Sequence, residues 1–169
     1  EVTAEVAKLA KLTKFPVFTT PMGKGGFNED SDEYYGLYVG AFTNPDVKEI
    51  VESSDLIISI GGLKSDFNTG SFSYLFNTKN TVDFHSNFCR FKKATYENLQ
   101  MKHALKTLLE RLPALESIKS FVPPPIPASK NAYQAVLAAP APEGILTHEY
   151  LWQRITSYLK QGDVLVTET

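Results

Sequence analysis

The sequence predicts an α/β fold: a Rossmann-like, mostly parallel sheet with helices on both faces. Three observations predict it. Apolar runs of strand length alternate with segments of helical periodicity. One run, "DLIISIGG", is apolar almost throughout, the pattern of a strand covered on both faces in a parallel sheet. Candidate strands near residues 17, 57 and 81 recur at close to mononucleotide-fold spacing.

Each element has its own local signals. "EVAKLAKLTK" carries Val2, Val6, Leu9 and Leu12 at helical spacing, and Pro16 ends the helix because the residue before proline avoids the α region. "PVFTTP" reads as a buried strand. "NPDVKEIVESS" starts a helix, with Asn44 as N-cap, Pro45 at the first helical position, and Asp46 and Glu49 near the positive end of the dipole. Val47, Ile50 and Val51 form its apolar stripe. "DLIISIGG" and "NTVDFHS" are the next strands. "NLQMKHALKTLLERL" is an amphipathic helix with Met101, Leu105, Leu108 and Leu112 in register.

The composition then shifts. Residues 1–116 form the α/β domain in this reading, and residues 117–145 form a Pro-rich linker. Pro123, Pro124, Pro125 and Pro127 favour extended geometry there, and Pro140 and Pro142 repeat the signal. A proline-rich ligand for a small recognition domain is the alternative reading of that stretch. Residues 146–169 resume globular patterning. Thr147 caps a helix with Leu151, Ile155, Tyr158 and Leu159 on its buried face, Gly162 ends it, and Val164 to Val166 start a strand. One helix and one strand cannot bury their own apolar faces, so this piece is expected to open a second α/β domain.

Composition limits the function. The chain has 169 residues, and 43% hydrophobic with 21% charged residues is ordinary for a water-soluble globular protein. A net charge of −2 gives no basic face of the kind nucleic acid requires. No apolar run approaches the ~20 residues that span a bilayer. The opening "EVTAEVAKLAKL" has interleaved charges, unlike a signal peptide. Cys89 is the single cysteine, so no intramolecular disulfide forms, and a cytoplasmic location is the default expectation.

The glycines of "TTPMGKGGFNED" pose the sharpest question, because a strand entering Gly23, Lys24, Gly25 and Gly26 looks like a phosphate cradle. The P-loop pattern fails: Gly25 follows Lys24 where a hydroxyl is needed, and no glycine stands where the pattern's first one belongs, five residues before Gly23. The dinucleotide pattern fails as well, since Asn28 stands where its third glycine belongs. Turn chemistry after the first strand is the better reading. His85, His103 and His148 lack metal spacing with Cys89 or with paired carboxylates, and read as surface or half-buried structural residues. Cys89 reads as a small semi-buried residue, although Arg90, Lys92 and Lys93 would lower its pKa if they stood near its sulfur. "CRFKK" reads as a solvated basic face. Local signals assemble no catalytic constellation.

Three stretches carry a resemblance: "FPVFTTPMGKGG", "YYGLYVGAFTNPDVKEIVESSDLIISIGG" and "SDFNTGSFSYLFNTKNTVDFHS". With them the chain resembles the fungal pyruvate decarboxylases, thiamine-diphosphate-dependent enzymes, over essentially its whole length. The run "LKSDFNTGSFSY" is its most specific part. The resemblance implies a subunit of three α/β domains, of which this chain supplies the central domain, the linker and the start of the diphosphate-binding domain. It implies decarboxylation of pyruvate to acetaldehyde and carbon dioxide, with thiamine diphosphate as electron sink and Mg2+ holding the diphosphate. Phenylpyruvate or indolepyruvate are the alternative substrates, and a non-catalytic regulatory or assembly module is the alternative role.

The family's catalytic glutamates, paired histidines and Gly-Asp-Gly metal motif match no position here. Gly162-Asp163 lacks the second glycine and precedes its strand. Glu168 and Thr169 match the family's "ET" before its cofactor loop and are the candidate cofactor contacts. The resemblance implies no FAD in this domain. It also implies a homodimer or homotetramer, and a regulatory loop at Asp66, Phe67, Asn68, Thr69, Gly70, Ser71 and Phe72. That loop is mobile in the family and orders on activation; a static aromatic-rich loop at a subunit interface is the alternative. The family's activator cysteine lies upstream of the matched region, so Cys89 does not inherit its role.

Overall fold

The structure, a computed structural model, describes residues 2–131 and 144–166. The chain divides into two compact units, Glu1–Pro127 and Ala128–Thr169.

The first unit opens with helix α1 (Thr3–Thr13) and strand β1 (Val17–Thr19), followed by β2 (Tyr34–Leu37), helix α2 (Pro45–Glu52) and strand β3 (Ile57–Ile60). Strands β4 (Thr81–Phe84), β5 (Phe88–Phe91) and β6 (Ala94–Glu97) come next, then helix α3 (Met101–Arg111) and a single helical turn, α4 (Glu116–Lys119). β1 and β2 pair in parallel, and a second sheet has the order β3-β4-β5-β6. Within it β3 and β4 are parallel, whereas β4–β5 and β5–β6 are antiparallel. The α/β class therefore stands, with a mixed sheet. The antiparallel share comes from β5 and β6, where β4 returns into β5 and β5 into β6 through short turns, around the "CRFKK" that the sequence suggested was a solvated basic face. Connections of three residues (85–87) and two residues (92–93) allow only an antiparallel return.

Period-two alternation puts Ile58, Ile60, Val82, Phe84 and Cys89 on one face of the larger sheet, in matched register. α1 and α3 cover that face. Val2 and Leu9 of the α1 segment, Leu105 of α3 and Leu112 beyond it complete the core with Phe84 and Cys89. The other side of α1 packs Ala10 against Phe27 and Tyr34, which joins it to the β1–β2 pair. α2 lies on β2, where Val47 approaches Gly36 so closely that a Cβ there would be 3.2 Å from its Cγ2.

Some sequence expectations shift. Asn44 holds the N-cap position of α2, but its side chain makes no capping bond; Asp46 Oδ1 accepts from the Val47 amide instead, at 2.9 Å. Part of the Pro-rich stretch packs onto the first unit. The Tyr35 hydroxyl donates to the Pro124 carbonyl at 2.7 Å, and Phe121 meets Phe15 edge-on at 4.8 Å.

In the second unit, helix α5 (His148–Thr156) starts as expected, with Thr147 Oγ1 accepting from the Tyr150 amide. Gly162 takes a left-handed φ of 97°. The strand expected at Val164 to Val166 is not formed. All three side chains are exposed, and no strand among the described residues pairs with them. A strand needs a partner for its backbone groups, which local propensity alone does not supply.

Candidate functional site

Parallel strands need long crossovers, usually helical. Here two crossovers contain no α-helix. Residues 20–33 join β1 to β2, and residues 61–80 join β3 to β4. Both leave the C-terminal ends of parallel strands, the edge at which open α/β sheets build their sites. Long connections of this kind are commonly functional.

The first crossover answers the glycine question in favour of turning. Pro21–Gly23 form a 3-10 turn, and Gly25 has a φ of 79°. A Cβ on Gly26 would stand 2.9 Å from the Gly23 carbonyl oxygen. The Lys24 ammonium reaches across the turn to Glu29, 2.7 Å away.

The second crossover is fastened at three places. At its base, Lys64 Nζ lies 3.3 Å from the buried carboxylate of Asp83 on β4. In the middle, the buried Asn68 donates through its side-chain amide to the Leu63 carbonyl at 2.9 Å, and its Oδ1 accepts from the Met22 amide at 3.0 Å. That second bond ties the two crossovers together. At the far end, Glu52 Oε1 at the C-terminus of α2 accepts from the Leu75 amide and from the Tyr38 hydroxyl. Burial, reinforced by the hydrogen bond to Glu52 and its negative charge, drives the Tyr38 phenol well above the usual tyrosine range. Tyr38, Phe76 and Tyr74 form a ladder of rings, with centroids 6.0 and 4.8 Å apart.

Between these fastenings the backbone is strained. Gly70, Ser71 and Phe72 have consecutive φ values of 55°, 58° and 61°. Left-handed geometry costs about 1–2 kcal/mol at a non-glycine residue. The Thr69 hydroxyl oxygen accepts from the Phe72 amide at 2.9 Å and helps hold the turn. Ser73 Oγ accepts from the Ala41 amide at 2.8 Å and donates to the Gly70 carbonyl at 2.6 Å, which joins the loop to residues 39–43.

The result is a buried polar frame of Asn68, Thr69 and Gly70 beneath outward-facing apolar side chains. Phe67 and Phe72 are 54% and 61% exposed, and Met22, Phe42, Leu63 and Leu75 are exposed around them. Asp66 stands at the loop's start, where its Oδ1 accepts from the Phe67 amide. The predicted loop residues 66–72 are thus contiguous in space as well as in sequence. What the sequence did not show is the support from Glu52, Tyr38, Lys64, Asp83 and Met22. All but Lys64, which belongs to the same crossover, come from other parts of the chain, and only register and chain reversal bring them near.

The remaining candidates are structural. His85 stacks on Phe88 at 4.2 Å, His103 lines a shallow groove of α3 with Thr107 and Arg111, and His148 opens α5. Cys89 is buried, and burial pushes its thiol up. This agrees with the reading of Cys89 as a small packed residue; the alternative, a lowering by Arg90, Lys92 and Lys93, is not met, because alternation turns Arg90 to the opposite face and the two lysines occupy the exposed hairpin turn. No group of three or more His, Cys, Asp or Glu residues that would hold a metal occurs among the described residues. Glu168 and Thr169 lie outside the described residues.

Comparison with known proteins agrees with this architecture. Residues 1–112 match the family model of the thiamine pyrophosphate enzyme, central domain, and the chain belongs to that family. Among its relatives, a pyruvate decarboxylase of Candida albicans is 48% identical over 166 residues, 98% of this chain and 28% of the relative. The pyruvate decarboxylase of Candida glabrata and pyruvate decarboxylase isozyme 1 of Saccharomyces cerevisiae are each 46% identical over 169 residues, 100% of this chain and 29% of theirs. The chain therefore spans less than a third of the length of these curated relatives.

Proposed function

We propose that this chain is the central-domain segment of a pyruvate decarboxylase acting in alcoholic fermentation, in which thiamine diphosphate and Mg2+ support conversion of pyruvate to acetaldehyde and carbon dioxide. The observation that carries the reading is identity of 45–48% over nearly the whole chain to fungal proteins of that name. The described residues do not fit either cofactor: they supply no carboxylate cluster for a metal, and the glycine turn spends its lysine on Glu29. Chemistry at the cofactors is accordingly assigned to other parts of the parent protein, with Glu168 and Thr169 as the only proposed contacts from this chain, and FAD has no role here. Residues 1–116, 117–145 and 146–169 serve as scaffold, linker and entry to the diphosphate-binding domain.

The loop at residues 66–72 is the proposed regulatory element. Its apolar crown suits contact with other subunits of a homodimer or homotetramer, and its strained turn suits a segment with two arrangements. Localisation is proposed as cytoplasmic; no helix among the described residues is long and apolar enough to cross a membrane.

The test is carbon dioxide release. The full-length protein, supplied with thiamine diphosphate and Mg2+, is expected to decarboxylate pyruvate, and the 169-residue chain alone to show no turnover. Full-length protein that releases carbon dioxide only from aromatic 2-oxo acids would replace the substrate, and turnover by the isolated chain would overturn the scaffold assignment.

A further inference from the structure

The larger sheet ends in an open edge. Among the described residues β6 pairs only with β5, and every residue from Phe91 to Gln100 is exposed. An edge strand presents unpaired N–H and C=O groups, which proteins normally cover or guard with charge. Lysines alone would guard this edge. The charges here are arranged differently: Lys92 and Lys93 precede the strand and Glu97 ends it, in "KKATYE". Among the described residues, neither Lys93 nor Glu97 forms an ion pair.

We propose that β6 pairs antiparallel with β6 of a second copy of this chain, about a two-fold axis through Thr95. Geometry and charge select this register together. The two-residue turn Lys92–Lys93 closes on the pair Phe91 and Ala94. Ala94 and Tyr96 therefore exchange hydrogen bonds with β5, while Thr95 and Glu97 direct their backbone groups outward. Centring the axis on Thr95 lets Thr95 exchange both bonds with its symmetry mate. The same register sets each Lys93 opposite the Glu97 of the other copy, twice by symmetry. Centring on Glu97 would oppose two carboxylates, and centring on Lys93 two ammonium groups, each unfavourable across a strand pair.

On the opposite face Tyr96, 52% exposed, would lie over Ala94 of the mate in a close, non-hydrogen-bonded pair. Asn98, with a φ of 61°, turns the chain away and limits the contact to one short strand. The small area makes this a contact that orients copies, so it is best read by local cross-linking.

The experiment uses the full-length protein carrying Thr95→Cys. Mild oxidation should yield a covalent dimer that depends on this substitution, because symmetry-related Cα atoms in a hydrogen-bonded pair stand about 5.5 Å apart, within disulfide range. Native Cys89 is buried and should not contribute. Lys93→Glu or Glu97→Lys in this background should slow cross-linking about tenfold, since each reversal creates two like-charge pairs. The combined reversal Lys93→Glu with Glu97→Lys should restore it, which also shows that the exposed substitutions leave the fold intact. A rate unmoved by the single reversals, or not recovered by the double one, overturns the proposal. So does a Thr95→Cys thiol that neither cross-links nor reacts with a maleimide, because another segment would then cover the edge.

Discussion

Gly40 and Gly70 show what single residues decide here. Each has a φ of 55°, and they sit where residues 39–43 meet the second crossover. A Cβ on Gly40 would stand against the Thr69 carbonyl oxygen and Ser73 Oγ, and one on Gly70 would be 2.8 Å from Phe42 Cδ2. Gly40→Ala is expected to lower unfolding stability by about 2–4 kcal/mol, combining left-handed strain with overpacking, as read from urea unfolding. Neither glycine advertised this role, because the partner strand of chain is about thirty positions away. Tyr38 carries a pH prediction. Burial first, and Glu52 second, raise its phenol above the ordinary 10.0. The unfolded chain then releases this proton at lower pH than the folded one. Its contribution is intact below about pH 10 and is lost as pH climbs toward the folded value. The buried Cys89 thiol acts in the same direction from its ordinary 9.0. Stability measured by urea midpoints should fall through alkaline pH, and Tyr38→Phe should flatten the fall more clearly above about pH 10, while Cys89→Ala acts earlier.

At the scale of elements, α3 was the most legible. Leu105 has no exposed surface and fills the centre of the core between α1 and the sheet. Leu105→Ala should cost about 2–5 kcal/mol by thermal or urea unfolding, the range for opening a cavity in a packed interior. α1, α2, β1, β3 and β4 were legible for the same reason: periodicity and capping are local. β2, β5 and β6 were not. "YYGLYV" contains Gly36, whose missing side chain admits Val47 but weakens the strand pattern. "FCRFKKATYE" turns on two lysines in place of Asn-Gly or Asp-Gly, so its hairpin signal is weak and its charges dominate the reading.

For the whole molecule, the chain alternates elements as an α/β protein must, yet its described site contains no catalytic group set. Both features fit the central domain of a larger enzyme. The site is a frame: two helix-free crossovers joined by the Met22–Asn68 bond and held by Lys64–Asp83 and Glu52. By itself the sequence determined the fold class, the helices with apolar stripes, the failure of both nucleotide patterns and the family, because all of these depend on neighbours within a few residues or on a continuous run. Only the tertiary structure decided which way Phe67 and Phe72 face, that Glu52 reaches Leu75, that Cys89 is buried with its thiol pushed up, and that among the described residues 164–166 have no strand partner and β6 stands at an open edge. Each of those depends on pairing or burial between segments distant in sequence. Such contacts are selected by the free energy of the packed whole and leave no period in the chain.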